Sequence, residues 1–305
     1  MVPDGLLSRV TCIFGLALAA CSSSSSSSSA VAAGDDGGDN EAGGSEAGGD
    51  GGAGKAAAAT CPDGAKTGSP SGGTLTITVG GNAVTVIVRV PPGYVATEAH
   101  PFVMVYAPSS ANAAQNEQFT GLTPEARKRG YVIAYADNSL FDQSQINEEI
   151  KESAAAIPAV TAEWCIDPKR IYMTGYSNGG TITETVAIKQ WATLAAVAPA
   201  AAGLKESVFQ NFGCPQGPLP VMEMHSTGDL LFPVASGFGA DVAKQWATCD
   251  GCNPAPGAPD TDGCIHYTGC SHGVEVTYCE STGVHGLWQG LNTQIFDFFD
   301  RFTAP

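Results

Sequence analysis

Positive charge is scarce in this chain. Its 305 residues carry 14 lysines and arginines against 30 aspartates and glutamates, a net charge of −16. No extended Lys/Arg cluster occurs, so the footprint expected of a nucleic-acid binder or of a protein held on an anionic membrane surface is missing. Runs of apolar residues long enough to cross a bilayer are missing too. The run from Val10 to Ala20 is too short. Residues 22–60 lack large apolar side chains almost entirely and cannot bury enough surface to offset their ordering entropy. No internal repeat is evident.

What stands at the N-terminus reads as an address rather than a fold. Arg9 precedes the apolar run, and Leu18-Ala19-Ala20-Cys21 closes it. That is the order of a signal peptide, with a small-residue cleavage site. The ending looks like a bacterial lipobox, which predicts removal of residues 1–20 and lipidation of Cys21. The alternative is an ordinary signal peptide with a chance cysteine. Residues 21–60, with the serine run Ser22 to Ser29 and then Gly, Ala and acids, read as a flexible linker. Residues 61–305 suffice for one sizeable domain. The expected location is outside the cytoplasm, as a cell-envelope lipoprotein or an extracellular protein, with membrane contact only through Cys21.

Cys12 leaves with the signal peptide. Eight cysteines remain for the domain: Cys61, Cys165, Cys214, Cys249, Cys252, Cys264, Cys270 and Cys279. An even number in an exported chain predicts disulfides of undetermined pairing. Cys249-x-x-Cys252 with Cys264 and Cys270 also admits a zinc reading. Export disfavours it, and these four lie in a Pro/Gly/Asp-rich insertion that disulfides would hold.

The domain opens with two β-branched runs, residues 74–79 and 83–90, joined by Gly80-Gly81-Asn82 as a hairpin. Further strands are expected at 102–107, 131–135, 170–174, 195–198, 219–225 and 274–279. Helices are expected at 121–129, at 146–164 with Pro158 kinking or dividing it, after Gly179, and at 287–302. In that last helix Leu291, Ile295, Phe298, Phe299 and Phe302 face inward. Alternating strands and helices after a hairpin predict an α/β fold, a mostly parallel sheet covered on both faces. Its ligand site belongs at the carboxyl ends of the strands.

One motif stands at that edge. Gly175-Tyr176-Ser177-Asn178-Gly179 is a G-x-S-x-G sequence between a buried strand and a helix, the context of a nucleophile elbow. A serine needs a base, and the base an orienting acid. Asp229, in a short loop after the strand ending at His225, is the candidate acid, ahead of Asp241, Asp260 and Asp262. His285, between the last strand and the last helix, is the candidate base. His225 more naturally supports the acid loop, His266 and His272 lie in the insertion, and His100 precedes a strand. The order Ser177, Asp229, His285 is that of an α/β-hydrolase. The oxyanion requires two backbone donors. One is the N–H of Asn178. The other falls in residues 107–110, where Pro108 has none, leaving Ser109 or Ala107.

The residues from Ile166 to Gly180 resemble the elbow region of the polyhydroxybutyrate depolymerase and feruloyl esterase group, near carbohydrate esterase family one. Pro91-Pro92-Gly93-Tyr94, His225-Ser226-Thr227-Gly228-Asp229, Cys165, and Cys279 upstream of His285 and Trp288 are similar to further parts of its pattern. Three departures stand out. Tyr106-Ala107-Pro108-Ser109-Ser110 replaces a His-Gly pair and glycine-rich loop. Ser226 replaces a glycine, and Gly286-Leu287-Trp288 follows the histidine. The resemblance implies an α/β-hydrolase that cleaves carboxylic esters with no metal or organic cofactor. Feruloyl or acetyl esters on plant polysaccharide are the first substrate expected. Polyhydroxybutyrate or its oligomers are the second, disfavoured because the sequence ends at Pro305 directly after the closing helix, with no binding domain. The rival readings are a serine peptidase and a non-catalytic binding protein on a hydrolase fold, the latter favoured only by the altered loop after the third strand.

Overall fold

The computed structural model describes residues 60–305, apart from Pro62, Gly80 and residues 139–145. The expected signal peptide, the lipidation site Cys21 and nearly all of the linker lie outside the described residues.

A nine-stranded sheet forms the centre. Strands β1 (Gly73–Val79) and β2 (Asn82–Arg89) are the expected hairpin, pairing antiparallel from Gly73↔Val88 to Val79↔Asn82. They are followed by β3 (His100–Tyr106), β4 (Val132–Ala136), β5 (Ile166–Tyr176), β6 (Ala196–Ala200), β7 (Val221–Gly228), β8 (Cys264–Tyr267) and β9 (Val276–Val284). The spatial order is β1-β2-β4-β3-β5-β6-β7-β9-β8. The run from β4 to β9 is parallel, and β1, β2 and β8 add antiparallel strands at the two edges. The central strands are buried along their length, as β3 and β4 show, because helices cover both faces.

Helices α1 (Ala113–Thr120), α2 (Thr123–Lys128), α3 (Ile146–Glu163), α4 (Asn178–Gln190), α5 (Glu206–Phe212) and α6 (Ala240–Cys249) connect the strands, and α7 (Asn292–Phe299) follows the last of them. One apolar cluster joins Val86, Met104, Met173, Ile182, Val221 and Trp246, and a second joins Tyr135, Tyr172, Met224, Phe296 and Phe299.

Several expectations are corrected. Helix α1 is an element the sequence reading did not assign. Its polar sequence has no apolar stripe, and it is started by a capping box between Asn112 and Gln115. Pro158 lies inside an uninterrupted α3 rather than dividing it. The closing helix begins at Asn292, not 287, because Gly286 and Gly290 take φ of 100° and 73° and hold 285–291 as a loop. Phe296 joins its buried face. The cysteine-rich insertion carries its own strand, β8, paired antiparallel with β9.

The eight cysteines form four disulfides: Cys61–Cys165, Cys214–Cys249, Cys252–Cys270 and Cys264–Cys279. The four cysteines of the zinc alternative therefore go to three different bridges. Four disulfides fit an oxidising compartment.

Candidate active site

Strand β5 ends at Tyr176 and helix α4 starts at Asn178, so Ser177 alone makes the turn. It does so at φ 57° and ψ −117°, a conformation costly for a residue with a Cβ. The flanking glycines make this possible. A Cβ on Gly175 would sit 2.4 Å from the Gly179 carbonyl oxygen, and one on Gly179 would sit 2.2 Å from that of Tyr106. Strand β3 therefore packs directly on the elbow. The Ser177 N–H donates to the Ala200 carbonyl at 2.9 Å, fixing the turn to β6.

Helix α4 is polar yet buried from Asn178 to Ile188. Its threonines satisfy themselves locally. Thr181, Thr183 and Thr185 donate to the carbonyls of Ser177, Gly179 and Thr181 four residues back. The N-terminus of α4 and its partial positive charge lie directly behind the serine.

Ser177, His285 and Asp229, from three different loops, meet. Ser177 Oγ lies 2.9 Å from His285 Nε2, and His285 Nδ1 lies 2.7 Å from Asp229 Oδ2. A carboxylate accepts only, so Nδ1 carries the proton and donates it to Asp229. Nε2 then offers its lone pair to the serine hydroxyl. Asp229 is buried, and its other oxygen accepts the N–H groups of Leu231 and Phe232 at 2.9 and 2.8 Å. These bonds aim the carboxylate at His285.

The competing residues are elsewhere. Asp241 lies on α6. Asp260 pairs with His266 at 3.0 Å in the insertion, where His272 also stands. His100 opens β3 and binds the Gly130 carbonyl. His225 is buried, and its Nε2–H donates to the Phe232 carbonyl at 2.8 Å, bracing the acid loop as expected. Burial lowers its pKa, which the Phe232 bond and Asp229 partly oppose.

Three features escape sequence reasoning. The Tyr176 hydroxyl accepts the Gly286 N–H at 2.7 Å, and its ring lies 5.4 Å from that of His285. Asn138 is buried after β4. Its side chain donates to the Ala107 carbonyl at 2.8 Å, and its own carbonyl accepts the Ser110 N–H at 2.8 Å. It thereby fixes the loop after β3, in which the Ala111 N–H is also engaged, by Pro108 O. The third is a pair of buried acids, Glu184 on α4 and Glu223 on β7. Only the capping pattern around Asn112 could have been found locally; these partners are tens of residues apart.

The comparisons bear on this geometry. No family model matches the chain. It is 27% identical over 245 residues to feruloyl esterase B of Piromyces equi, covering 72% of this chain and 45% of that protein. It is 25% identical over 264 residues to feruloyl esterase D of Neurospora crassa, covering 76% and 87%. The chain thus spans less than half of the first relative and most of the second. Among solved structures, an acetyl xylan esterase from Aspergillus awamori superposes with a TM-score of 0.59 at 13% identity, over 75% of this chain and 99% of that one. A thermostable esterase gives 0.53 at 17% identity, over 76% and 63%. The fold is that of the α/β-hydrolases. Its sequence is similar to the feruloyl esterases, and the expected fold class stands, with the disulfide-rich insertion before the last strand.

Proposed function

We propose that this chain hydrolyses carboxylic esters through an acyl-enzyme, with Ser177 as nucleophile, His285 as general base and Asp229 as its orienting acid. The observation that carries this is the unbroken path Ser177 Oγ–His285 Nε2 and His285 Nδ1–Asp229 Oδ2. His285 takes the serine proton as Oγ attacks the ester carbonyl. The tetrahedral oxyanion collapses, the C–O bond to the alcohol breaks, and His285 returns the proton to the leaving oxygen. Water, deprotonated by the same nitrogen, then releases the acid and regenerates the serine.

The oxyanion donors in this reading are the N–H groups of Asn178 and Ser109. Pro108 has no N–H, that of Ser110 is taken by the Asn138 carbonyl and that of Ala111 by the Pro108 carbonyl, which leaves Ser109 or Ala107, and this reading takes Ser109. No step calls for a metal or organic cofactor. Feruloyl or acetyl esters on plant polysaccharide are the first substrate class, supported by the named relatives; polyhydroxybutyrate chains are the second. Export as a lipoprotein with its lipid on Cys21 completes the reading, supported by the Leu18-Ala19-Ala20-Cys21 sequence.

The test is the full chain beside Ser177→Ala on p-nitrophenyl acetate, methyl ferulate, acetylated xylan and polyhydroxybutyrate. The variant is expected to lose about 10⁴-fold or more in kcat. Equal inertness of both proteins on every ester would defeat the enzyme reading. Cys21→Ala should leave the protein soluble after export, and retention of the variant in the membrane fraction would remove the anchor.

A further inference from the structure

The loop after β3 cannot hold its own shape. It runs Ala107-Pro108-Ser109-Ser110-Ala111 without a glycine. Ser110 nevertheless takes φ of 65°, a left-handed conformation costly for a residue with a Cβ. Ser110 is exposed, so its own packing does not impose that conformation.

Asn138 supplies the hold, and three of its groups reach the loop. Its side-chain Nδ2 donates to the Ala107 carbonyl at 2.8 Å. Its own carbonyl accepts the Ser110 N–H at 2.8 Å, and its N–H donates to the Ala111 carbonyl at 3.0 Å. These bonds grip both ends of the loop and leave Pro108 and Ser109 between them. Asn138 is anchored in turn through its neighbour. The Asp137 carboxylate accepts the N–H groups of Thr85 and Ala113 at 3.2 and 2.5 Å, and the Asp137 N–H donates to the Thr85 carbonyl at 2.9 Å. The frame behind the loop is therefore β2 and the start of α1.

The same loop lies against the elbow. Tyr106, which precedes it, is in register with Gly175 in the β3–β5 pairing. A Cβ on Gly179 would sit 2.7 Å from the Ala107 carbonyl oxygen. The carbonyl that Asn138 holds thus packs on the first turn of α4, two residues after Ser177.

We propose that Asn138 is a positioning residue for catalysis: from outside the loop it sets where the second oxyanion donor, the Ser109 N–H, stands relative to Ser177. The inference rests on the ester hydrolase reading and deepens it. An oxyanion donor works only within hydrogen-bond distance of the place where charge develops. Here that distance depends on a partner 31 residues along the chain from Ala107. The Ala107 carbonyl only accepts, so an amide nitrogen must face it. An ionised carboxylate of the same size cannot take its place.

The test uses the full chain with p-nitrophenyl acetate and with phenylboronic acid, whose boron takes Ser177 Oγ as a fourth ligand and mimics the tetrahedral intermediate. Asn138→Ala and Asn138→Asp are expected to lower kcat about 30-fold, less than the loss on deleting a donor outright, with KM within twofold. The Kd for phenylboronic acid is expected to rise by a similar factor. A merely structural bond would lower the melting temperature and leave kcat and boronate affinity unmoved, and that result overturns the proposal. So does a loss confined to KM. Failure of both variants to fold overturns it too, since Asn138 would then serve folding alone. Ser177→Ala is run in parallel. Full activity in that variant would strike the ester hydrolase reading itself. A parent that depends on Ser177, beside Asn138 variants as active as the parent, would strike this inference alone.

Discussion

The Gly286 N–H donates to the Tyr176 hydroxyl at 2.7 Å, tying the residue after the candidate base to the residue before the candidate nucleophile. Gly286 takes φ of 100°, so its loop has no regular structure to hold it. The tyrosine ring is fixed in turn by Phe119 and Trp288, at centroid distances of 5.0 and 6.2 Å. Tyr176→Phe keeps the ring and removes the acceptor. We expect kcat on p-nitrophenyl acetate to fall about tenfold with KM within twofold, since a misplaced imidazole harms the transition state rather than binding. An unchanged kcat alongside a lowered melting temperature would make the bond structural only.

His225 does for the acid what Tyr176 does for the base. Its Nε2–H holds the Phe232 carbonyl, whose own N–H holds Asp229. His225→Leu should cost about 1–3 kcal/mol, because it leaves that carbonyl unpaired in the interior, and should lower kcat as well. His225→Gln, with a donor, should recover part of both. The sign of the pH effect follows from burial. The folded pKa lies below the unfolded value of about 6.5, so the unfolded chain binds the extra proton first. Stability from this group is present above that value and is lost as pH falls below it. Urea midpoints at pH 5 and 7.5 should differ less in His225→Gln than in the parent, and an equal difference would refute the assignment.

The three residues of the proposed triad were legible in the sequence because each stands at a strand end beside a local signal: the paired glycines around Ser177, the Gly228-Asp229 turn, and the gap between β9 and the last helix. The bracing residues carried no such signal. Tyr176 is the free position of its motif, and its partner lies 110 residues on. Asn138 reads as any polar loop residue until the chain brings it to Ala107. Helix α1 was hidden because capping rather than an apolar stripe specifies it. Pro158 does not divide α3, since packing can outweigh a lost backbone bond.

The disulfides should matter for stability more than for chemistry. Cys252–Cys270 and Cys264–Cys279 close loops of 18 and 15 residues in the insertion. Cys61–Cys165 ties the start of the domain to the entry of β5 across 104 residues. By loop entropy the short bridges contribute about 3 kcal/mol each and the long one about 4.7. We expect Cys61→Ser/Cys165→Ser to lower the melting temperature by about 10 °C or more with kcat within twofold. Alkylation without reductant should label none of the eight cysteines, and a labelled pair would break the corresponding bridge.

The buried acids Glu184 and Glu223 set the alkaline side of the stability curve. Both are fully buried, and among the described residues their four oxygens find no hydrogen-bond partner of normal geometry. Burial pushes both pKa values up, and for Glu184 the neighbouring Glu223 adds to it. Asp250 is pushed up to about 7, again by burial, although the Leu219 N–H opposes it. A raised folded pKa means that the folded chain holds protons the unfolded chain has released. The stability is therefore present below the ordinary carboxylate range and is lost as pH climbs through the folded values. The melting temperature should decline by roughly 5 °C from pH 5 to pH 8.5. Glu184→Gln/Glu223→Gln, which cannot ionise, should flatten most of that decline, and Asp250→Asn the remainder. A double variant with the parent's full decline would show that the pair does not carry it.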